Sequence, residues 1–222
     1  MPANLPRRLF GELLGSCLLA ATVIGSGILA VQVSGGNDGV ALLGNTLATA
    51  AMLYVLVSTL GPVSGAHFNP AVTLVMLLRG EMRLPDALAY LPVQIIGCIA
   101  GAMFAHAMFD LPLIQQATHD RAGFGRLLGE GAATFALVFA ILGGMRHRPN
   151  DVPAIVALVI TAGYWWTSST SFANPAITIA RALSDTFAGI RPQDAPGFIV
   201  AQLAGALVAF VAGSWLFGKK TQ

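Results

Sequence analysis

Apolar residues occur along the chain in six long runs, each close to the roughly 20 residues that a helix needs to cross the hydrocarbon core of a membrane. The runs predict spans at 9–33, 40–60, 87–109, 127–145, 153–170 and 197–217. Two further apolar segments, 69–79 and 174–184, are too short to cross, and each begins with the tripeptide Asn-Pro-Ala. The pattern predicts an all-α membrane protein with six transmembrane helices and two shorter helices.

Composition agrees with this class and excludes several others. Of the 222 residues, 55% are hydrophobic and only 10% are charged, whereas a soluble domain carries about 25% charged residues. The net charge of +2 offers no basic field to a polyanion, so we expect no nucleic-acid partner. The two cysteines lie inside apolar runs without metal-ligand spacing, and no nucleophile–base pair is visible. We therefore expect no metal, no cofactor and no catalytic residues.

Basic residues predict the orientation in the membrane. Because the number of spans is even, both termini lie on the same side. Eight basic residues fall on that side, namely Arg7, Arg8, Arg79, Arg83, Arg146, Arg148, Lys219 and Lys220. Four fall on the other side, namely Arg121, Arg126, Arg181 and Arg191. We expect a multi-pass protein of a bacterial-type inner (plasma) membrane, with both termini in the cytoplasm and the first apolar run retained as a helix.

The chain also repeats itself in register. Glu12 in the first span is matched by Glu130 in the fourth, and Gln94 in the third span is matched by Gln202 in the sixth. One Asn-Pro-Ala lies between the acid and the glutamine in each case. Each half has three spans, an odd number, so the second half must enter the membrane from the opposite side.

This inverted repeat predicts how the halves combine. In such folds, paired interrupted hydrophobic segments mark the transport site. We expect a single transmembrane channel domain over residues 1–222, with repeat halves at approximately 7–109 and 126–217. The two short segments become re-entrant half-helices, one from each face of the membrane.

Each Asn-Pro-Ala has the chemistry of a helix start. Proline suits the first turn, where its missing N–H costs nothing, and asparagine is a natural N-cap. Asn69-Pro70-Ala71 and Asn174-Pro175-Ala176 therefore each begin a half-helix. The residues before them, 64–68 and 168–173, must be non-helical backbone at membrane depth. Such backbone is tolerated only where it is buried in protein or lines a water-filled cavity.

The half-helices of an inverted repeat meet near the midplane with their N-termini. Both positive dipole ends point at one spot, which opposes a cation or a proton but not a neutral solute. The two asparagine amides can donate hydrogen bonds to a passing oxygen. Backbone carbonyls before them can accept hydrogen bonds, at Gly65, Ala66, His67, Phe68 and residues 171–173. This chemistry suits water and small polyhydroxylated neutral molecules.

Residues 64–73 resemble the first signature loop of the aquaporin (major intrinsic protein) family, and residues 171–176 resemble the second. The likeness extends over nearly the whole chain, from Glu12 to about residue 217. It implies a six-helix, two-half-helix channel in the lipid bilayer, assembled as a homotetramer with one pore in each subunit. Glu12 and Glu130 match the family's buried acids, which hold the signature loops by accepting backbone hydrogen bonds. We favour that role over a proton relay.

The selectivity filter departs from the family pattern. The family's narrowest constriction usually contains an arginine directly after the second Asn-Pro-Ala, and this chain has Ile177 there. Family spacing places Thr49 at the second-span position, where Phe or Trp is common. The fifth-span position falls on Ala162 or Gly163, and the loop position lies near Ser171. All of these are smaller than the Phe-His-Arg set of a strict water channel, so we expect a wide, mildly apolar filter.

Arg181 allows two interpretations. It lies four residues after Ile177 and therefore on the same face of the second half-helix, one turn further on. Near the outer mouth, it could recruit anionic or polar solutes. Alternatively, it satisfies carbonyl groups at the helix end or pairs with Asp185.

The favoured function is a passive channel for water and small neutral solutes. Non-arginine filters of this kind resemble those of a bacterial subgroup linked to metalloid and arsenic handling. That resemblance implies larger polyols or uncharged metalloid species such as arsenite or methylarsenicals. A glycerol/urea-type aquaglyceroporin or a water channel is the alternative. An alternating-access secondary transporter is a more distant one, and we do not expect an enzyme.

Overall fold

The computed structural model describes residues 3–218, and in that range every regular element is a helix. The α-helices are α1 (Leu5–Val33), α2 (Asp38–Ser64), α3 (Pro70–Leu78), α4 (Leu84–Met108), α5 (Phe124–His147), α6 (Val152–Trp166), α7 (Pro175–Arg181) and α8 (Ala195–Phe217). A 3-10 turn, Pro149–Asp151, precedes α6. The predicted all-α class is confirmed. Lys219 and Lys220, which entered the charge count, lie outside the described residues.

Five helices of the described range are long and apolar enough to cross a membrane: α1, α2, α4, α5 and α8. The fifth predicted span is shorter than expected. Its helix, α6, has 15 residues and ends at Trp166 instead of residue 170, because the chain turns from Thr167 toward α7. At about 1.5 Å per residue, α6 is roughly 22 Å long. The half-helix α7 also ends early, at Arg181 instead of residue 184.

Glycines allow the long helices of each half to approach one another closely. On α4, a Cβ atom at Gly97 would lie 2.5 Å from the Leu13 carbonyl oxygen of α1. On α8, a Cβ atom at Gly205 would collide with the backbone of Gly131 on α5. Because helices in lipid associate mainly through such close packing, these contacts stabilise the α1–α4 and α5–α8 pairs. The same two pairs carry the residues that support α3 and α7.

The half-helices α3 and α7 begin in the same way. Asn69 caps α3 by accepting a hydrogen bond from the Ala71 N–H at 2.9 Å. Asn174 caps α7 by accepting from the Ala176 N–H at 3.0 Å. Each helix has proline at its first position, where no backbone donor is lost.

The backbone before each half-helix is strained at matching positions. Ala66 and Phe68, before α3, have φ angles of 50° and 48°. Ser171 and Ala173, before α7, have φ angles of 52° and 49°. A non-glycine residue in this left-handed region costs on the order of 1–3 kcal/mol, so these two loops need strong contacts to hold them.

Candidate functional site

The two half-helices meet through their first residues. The Asn69 side-chain nitrogen donates to the Ala173 carbonyl at 2.7 Å, and the Asn174 side-chain nitrogen donates to the Phe68 carbonyl at 2.8 Å. These reciprocal bonds join the loop before α3 to the loop before α7. The positive ends of both half-helices therefore lie at the same place.

Each asparagine amide has one orientation that satisfies its neighbours. Its oxygen accepts an N–H of its own helix, so its nitrogen points across to the other loop. An amide nitrogen carries two hydrogens, and the carbonyl of the opposite loop takes one of them. Asn69 and Asn174 both line a cavity, so the second hydrogen of each can bond an oxygen atom there.

Glu12 is fully buried and holds the loop before α3. Its Oε1 accepts from the Ser64 hydroxyl at 2.7 Å and from the His67 N–H at 3.0 Å. Its Oε2 accepts from the Phe68 N–H at 2.7 Å and from the Gln94 amide at 2.8 Å. Four charge-assisted hydrogen bonds therefore offset the strain of this loop.

Glu130 is also fully buried and holds the loop before α7. Its Oε1 accepts from the Phe172 N–H at 2.8 Å. Its Oε2 accepts from the Ala173 N–H at 2.9 Å and from the Gln202 amide at 2.6 Å. The acid thus bonds the two residues directly before Asn174, just as Glu12 bonds the two before Asn69.

Gln94 and Gln202 connect these acids to the half-helices, a role that the sequence reasoning missed. The Gln94 amide nitrogen also donates to the Thr73 hydroxyl at 2.9 Å, and the Gln202 amide nitrogen donates to the Thr178 hydroxyl at 2.8 Å. Each threonine lies four residues after an asparagine of an Asn-Pro-Ala motif. The signal was present, because a polar side chain in an apolar run repeats in register with the acids.

A cavity of about 760 Å³ passes the two asparagines and reaches from Arg8 on α1 to Arg181 on α7. The predicted site residues that line it are Thr49, Gly65, Ala66, His67, Phe68, Asn69, Ser171, Asn174 and Ile177. The remaining motif residues are buried behind the asparagines: Pro70, Ala71, Pro175 and Ala176. Much of the wall is apolar and includes Leu53, Val57, Val72, Met76, Ile141 and Ile160. Within residues 3–218, no group of three or more His, Cys, Asp or Glu side chains could hold a metal ion.

Helix α6 lines the cavity with Val152, Pro153, Val156, Ile160 and Tyr164, whereas the predicted filter positions, Ala162 and Gly163, are not among the lining residues. Ala162 is exposed on the outside of the helix bundle, and Gly163 packs against Ser171, whose Oγ would lie 2.5 Å from an added Cβ. Successive helical residues are about 100° apart, so an error of one or two positions exchanges the lipid face for the cavity face. The Tyr164 hydroxyl lies 3.4 Å from the Thr49 hydroxyl.

Arg181 is 3% exposed and lines the cavity one turn beyond Ile177. Its guanidinium carbon lies 3.2 Å from the centroid of the Phe172 ring, and its Nε donates to the Ala188 carbonyl. Arg181 forms no ion pair with Asp185 in the described structure, so that part of the second interpretation is not observed. Asp185 instead accepts from the Thr118 backbone N–H and hydroxyl, both at 2.8 Å, and these bonds lower the pKa of its carboxyl.

Arg121 is a second buried arginine, and no pattern in the sequence indicates its role because it stands alone in a loop. Its Nε donates to the Gly189 carbonyl at 2.7 Å, and its Nη1 donates to the Ser169 carbonyl at 3.3 Å. It therefore ties the loop before α7 to the loop after it. Burial lowers the pKa of its guanidinium to about 10, which still leaves it charged at neutral pH.

Comparisons with known proteins agree with this geometry. A family model described as "Major intrinsic protein" matches residues 2–168. Aquaglyceroporin AqpS of Rhizobium meliloti (strain 1021) is 51% identical over 213 residues, which cover 96% of this chain and 91% of that protein. Lens fiber major intrinsic protein of Gallus gallus is 44% identical over 159 residues, which cover 69% of this chain and 59% of that protein. The X-ray structure of the aquaglyceroporin from Plasmodium falciparum matches this chain with a TM-score of 0.70 and 21% identity, over 97% of each chain. At this identity the match shows a similar fold.

Proposed function

The chain belongs to the major intrinsic protein family, whose members are channels and not enzymes, and we propose that it is an aquaglyceroporin-type channel with a wide filter. The resemblance drawn from the two signature loops is thereby confirmed. The proposed solutes are water together with larger polyols or uncharged metalloid species such as arsenite or methylarsenicals. One transmembrane domain, with repeat halves at about 7–109 and 126–217, forms the pore.

The observation that carries this proposal is the residue at position 177. Ile177 follows the second Asn-Pro-Ala directly, lines the cavity and is 4% exposed. An isoleucine there occupies less space than a guanidinium on its long stem and donates no hydrogen bonds from its side chain. The neighbouring wall is formed by Thr49 and Tyr164, whose hydroxyls lie 3.4 Å apart and can bond a solute oxygen. Tyr164 makes this wall bulkier than Ala162 or Gly163 would.

Neutral solutes fit the remainder of the pore. The second hydrogen of each asparagine amide offers a donor, and the strained loops offer carbonyl acceptors beside it. The helix dipoles at this point oppose cations. Arsenite at neutral pH is an uncharged trihydroxide and resembles glycerol in shape and hydrogen bonding. Methylated arsenicals are bulkier and more apolar, which suits a wall that contains isoleucine.

An alternating-access transporter is less compatible with the described residues. Such a transporter requires a site for a coupling ion, and within residues 3–218 no ion pair lies beside the two asparagines. The buried acids, Glu12 and Glu130, are occupied by loop N–H groups and amides. We therefore keep the passive channel as the proposal.

We further propose that the protein is a homotetramer in a bacterial inner membrane, with both termini in the cytoplasm. The excess of basic residues on the side of the termini supports this orientation. The outward surface of the long helices is apolar, as lipid or neighbouring subunits require, with Phe10, Leu128, Val211 and Trp215 all more than half exposed. In this orientation the Arg8 end of the cavity is cytoplasmic, and the Arg181 end is the outer mouth.

The test is light-scattering stopped-flow of proteoliposomes with gradients of water, glycerol, urea and arsenite. The native protein is expected to conduct the larger solutes, and Ile177→Arg is expected to lose them while it keeps water. Gln193→Arg is the matched control, because it adds the same guanidinium at an exposed loop position outside the cavity lining.

Four outcomes would contradict parts of this proposal. Equal arsenite uptake with and without the protein would exclude the metalloid substrate and leave a glycerol/urea-type channel. Water flux alone would indicate a water channel. If Ile177→Arg conducts the larger solutes as well as Gln193→Arg does, then residue 177 does not form the constriction. Flux that saturates and follows an ion gradient would favour the transporter.

A further inference from the structure

The cavity contains a positive charge that the substitution at position 177 does not remove. Arg181 lies four residues after Ile177 on α7, so the two side chains share a face and differ in height by about 6 Å along the axis. Arg181 is buried, lines the cavity and stands on the outer side of the two asparagines. The guanidinium is therefore present in this pore, one helical turn further out than the family pattern has it.

The guanidinium is held in place from two sides. Its Nε donates to the Ala188 carbonyl, and its central carbon lies over the Phe172 ring at 3.2 Å from the centroid. Ala188 is itself kept in position because Arg121 donates to the carbonyls on either side of it, at Phe187 and Gly189. A guanidinium fixed in this way loses little conformational entropy when it donates a hydrogen bond to a solute.

The two terminal nitrogens of Arg181 have no acceptor in the described part of the chain. The hydrogen bond from Nε is the one that its side chain makes there. None of the ion pairs among residues 3–218 includes Arg181, and Asp185, the acid four residues after it in the sequence, is bonded to Thr118. A buried guanidinium with four unpaired N–H groups at a cavity wall presents both its charge and its hydrogen-bond donors to a solute in the cavity.

We propose that Arg181 is a specificity-determining residue that excludes cations at the outer mouth, in place of the arginine that is missing at position 177. This proposal rests on the proposed channel function. The charge and the size limit are then separated along the pore. The width of the pore is set by Ile177, Thr49 and Tyr164. Arg181 repels cations before they reach these residues, and it donates hydrogen bonds to the oxygens of neutral solutes.

Urea and the guanidinium ion provide the test, because they are planar molecules of nearly the same shape that differ in charge. Uptake of each labelled compound is measured in proteoliposomes that contain the native protein, Arg181→Met, Arg181→Lys or Arg126→Met. Methionine is the residue at position 76, which corresponds to Arg181 in the first half. Arg126→Met is the matched control, since it removes an arginine from the same side that does not line the cavity.

The native protein and Arg126→Met are expected to take up urea and exclude guanidinium. Arg181→Met is expected to raise guanidinium uptake at least about tenfold, because a unit charge a few ångströms away no longer opposes the ion. Arg181→Lys is expected to keep most of the exclusion, since it keeps the charge. Water permeability above that of empty liposomes identifies the variants that have folded.

A second readout keeps the two proposals separable. Proton entry driven by a potassium diffusion potential is followed with a trapped pH-sensitive dye, and Arg181→Met is expected to admit protons faster than the native protein. If native urea flux is absent, the wide filter is wrong, but proton entry still tests Arg181. If folded Arg181→Met excludes both guanidinium and protons as the native protein does, the half-helix dipoles are sufficient, and the role proposed for Arg181 is wrong.

Discussion

The loops before α3 and α7 are held by the same three types of side chain. The two half-helices that follow them present different side chains to the cavity. Glu12, Gln94 and Thr73 form one hydrogen-bonded chain, and its counterpart in the second half is Glu130, Gln202 and Thr178. Even the edge-on aromatic contact behind each loop is repeated, between His67 and Tyr90 at 5.5 Å and between Phe172 and Phe198 at 5.2 Å. The support of the pore is thus duplicated.

The residues that face the cavity are not duplicated. One helical turn of each half-helix carries Val72 in the first half and Ile177 in the second, and the next turn carries Met76 and Arg181. The first half offers apolar side chains at both levels, while the second adds a guanidinium. The residues that support the loops are therefore different from those to which we assign selectivity, and most of the latter lie in the second half.

The largest effect is expected from the supporting acids. Glu12→Gln and Glu130→Gln each replace a carboxylate, which accepts bonds on two oxygens, by an amide with one acceptor. At least one loop N–H or glutamine amide in each half then loses its partner, at a cost of roughly 2–4 kcal/mol. Thermal unfolding in detergent should show a lower midpoint for both variants, together with reduced water flux. Similar losses would support equivalent halves, and a near-native midpoint for either variant would show that its loop is held by other contacts.

A smaller effect, on solute size and not on stability alone, is expected at the cavity wall. Tyr164→Ala removes the bulkiest residue of the constriction that we propose, so the ratio of glycerol to water permeability should rise several-fold. Val57→Ala is the comparison elsewhere in the same cavity, in the part that we propose to be cytoplasmic, where a smaller side chain should leave this ratio as it is in the native protein. The ratio is measured by stopped-flow light scattering. A larger change for Val57→Ala would place the size limit near Val57 and not near Tyr164.

The features that could be predicted from the sequence are those with local or repeated causes. Asparagine followed by proline caps a helix through its own first turn, so the starts of α3 and α7 follow from the residues themselves. Glu12 and Glu130 stood out because a charge in an apolar run is costly and here occurs twice in register. No long-range contact was needed for either inference.

The residues that could not be predicted from the sequence depend instead on contacts between distant parts of the chain. The choice between Ala162, Gly163 and Tyr164 depends on where α6 ends, and the turn that ends it at Trp166 is joined to α5 by a hydrogen bond from the Ser168 hydroxyl to the Gly125 carbonyl. Arg121 could not be predicted, because its partners come from two loops that are 48 and 68 residues away along the chain. A side chain that acts through such distant partners leaves no periodic signal.

The smallest effect is expected from making the first loop resemble the second. His67→Phe gives the first loop the residue that Phe172 supplies in the other half. The Gln94 amide donates to the Thr73 hydroxyl, so that hydroxyl is free to donate to the His67 Nδ1 at 3.0 Å, and the variant loses this bond. The expected loss is about 1 kcal/mol, or a decrease of roughly 2–4 °C in the unfolding midpoint. Thr73→Val removes the same bond from its other end, so His67→Phe should cost almost nothing further in that background.

Solute selectivity should stay that of the native channel, because Ile177, Tyr164 and Arg181 are unchanged. A loss of guanidinium exclusion in His67→Phe would show that the first half shares the selectivity after all.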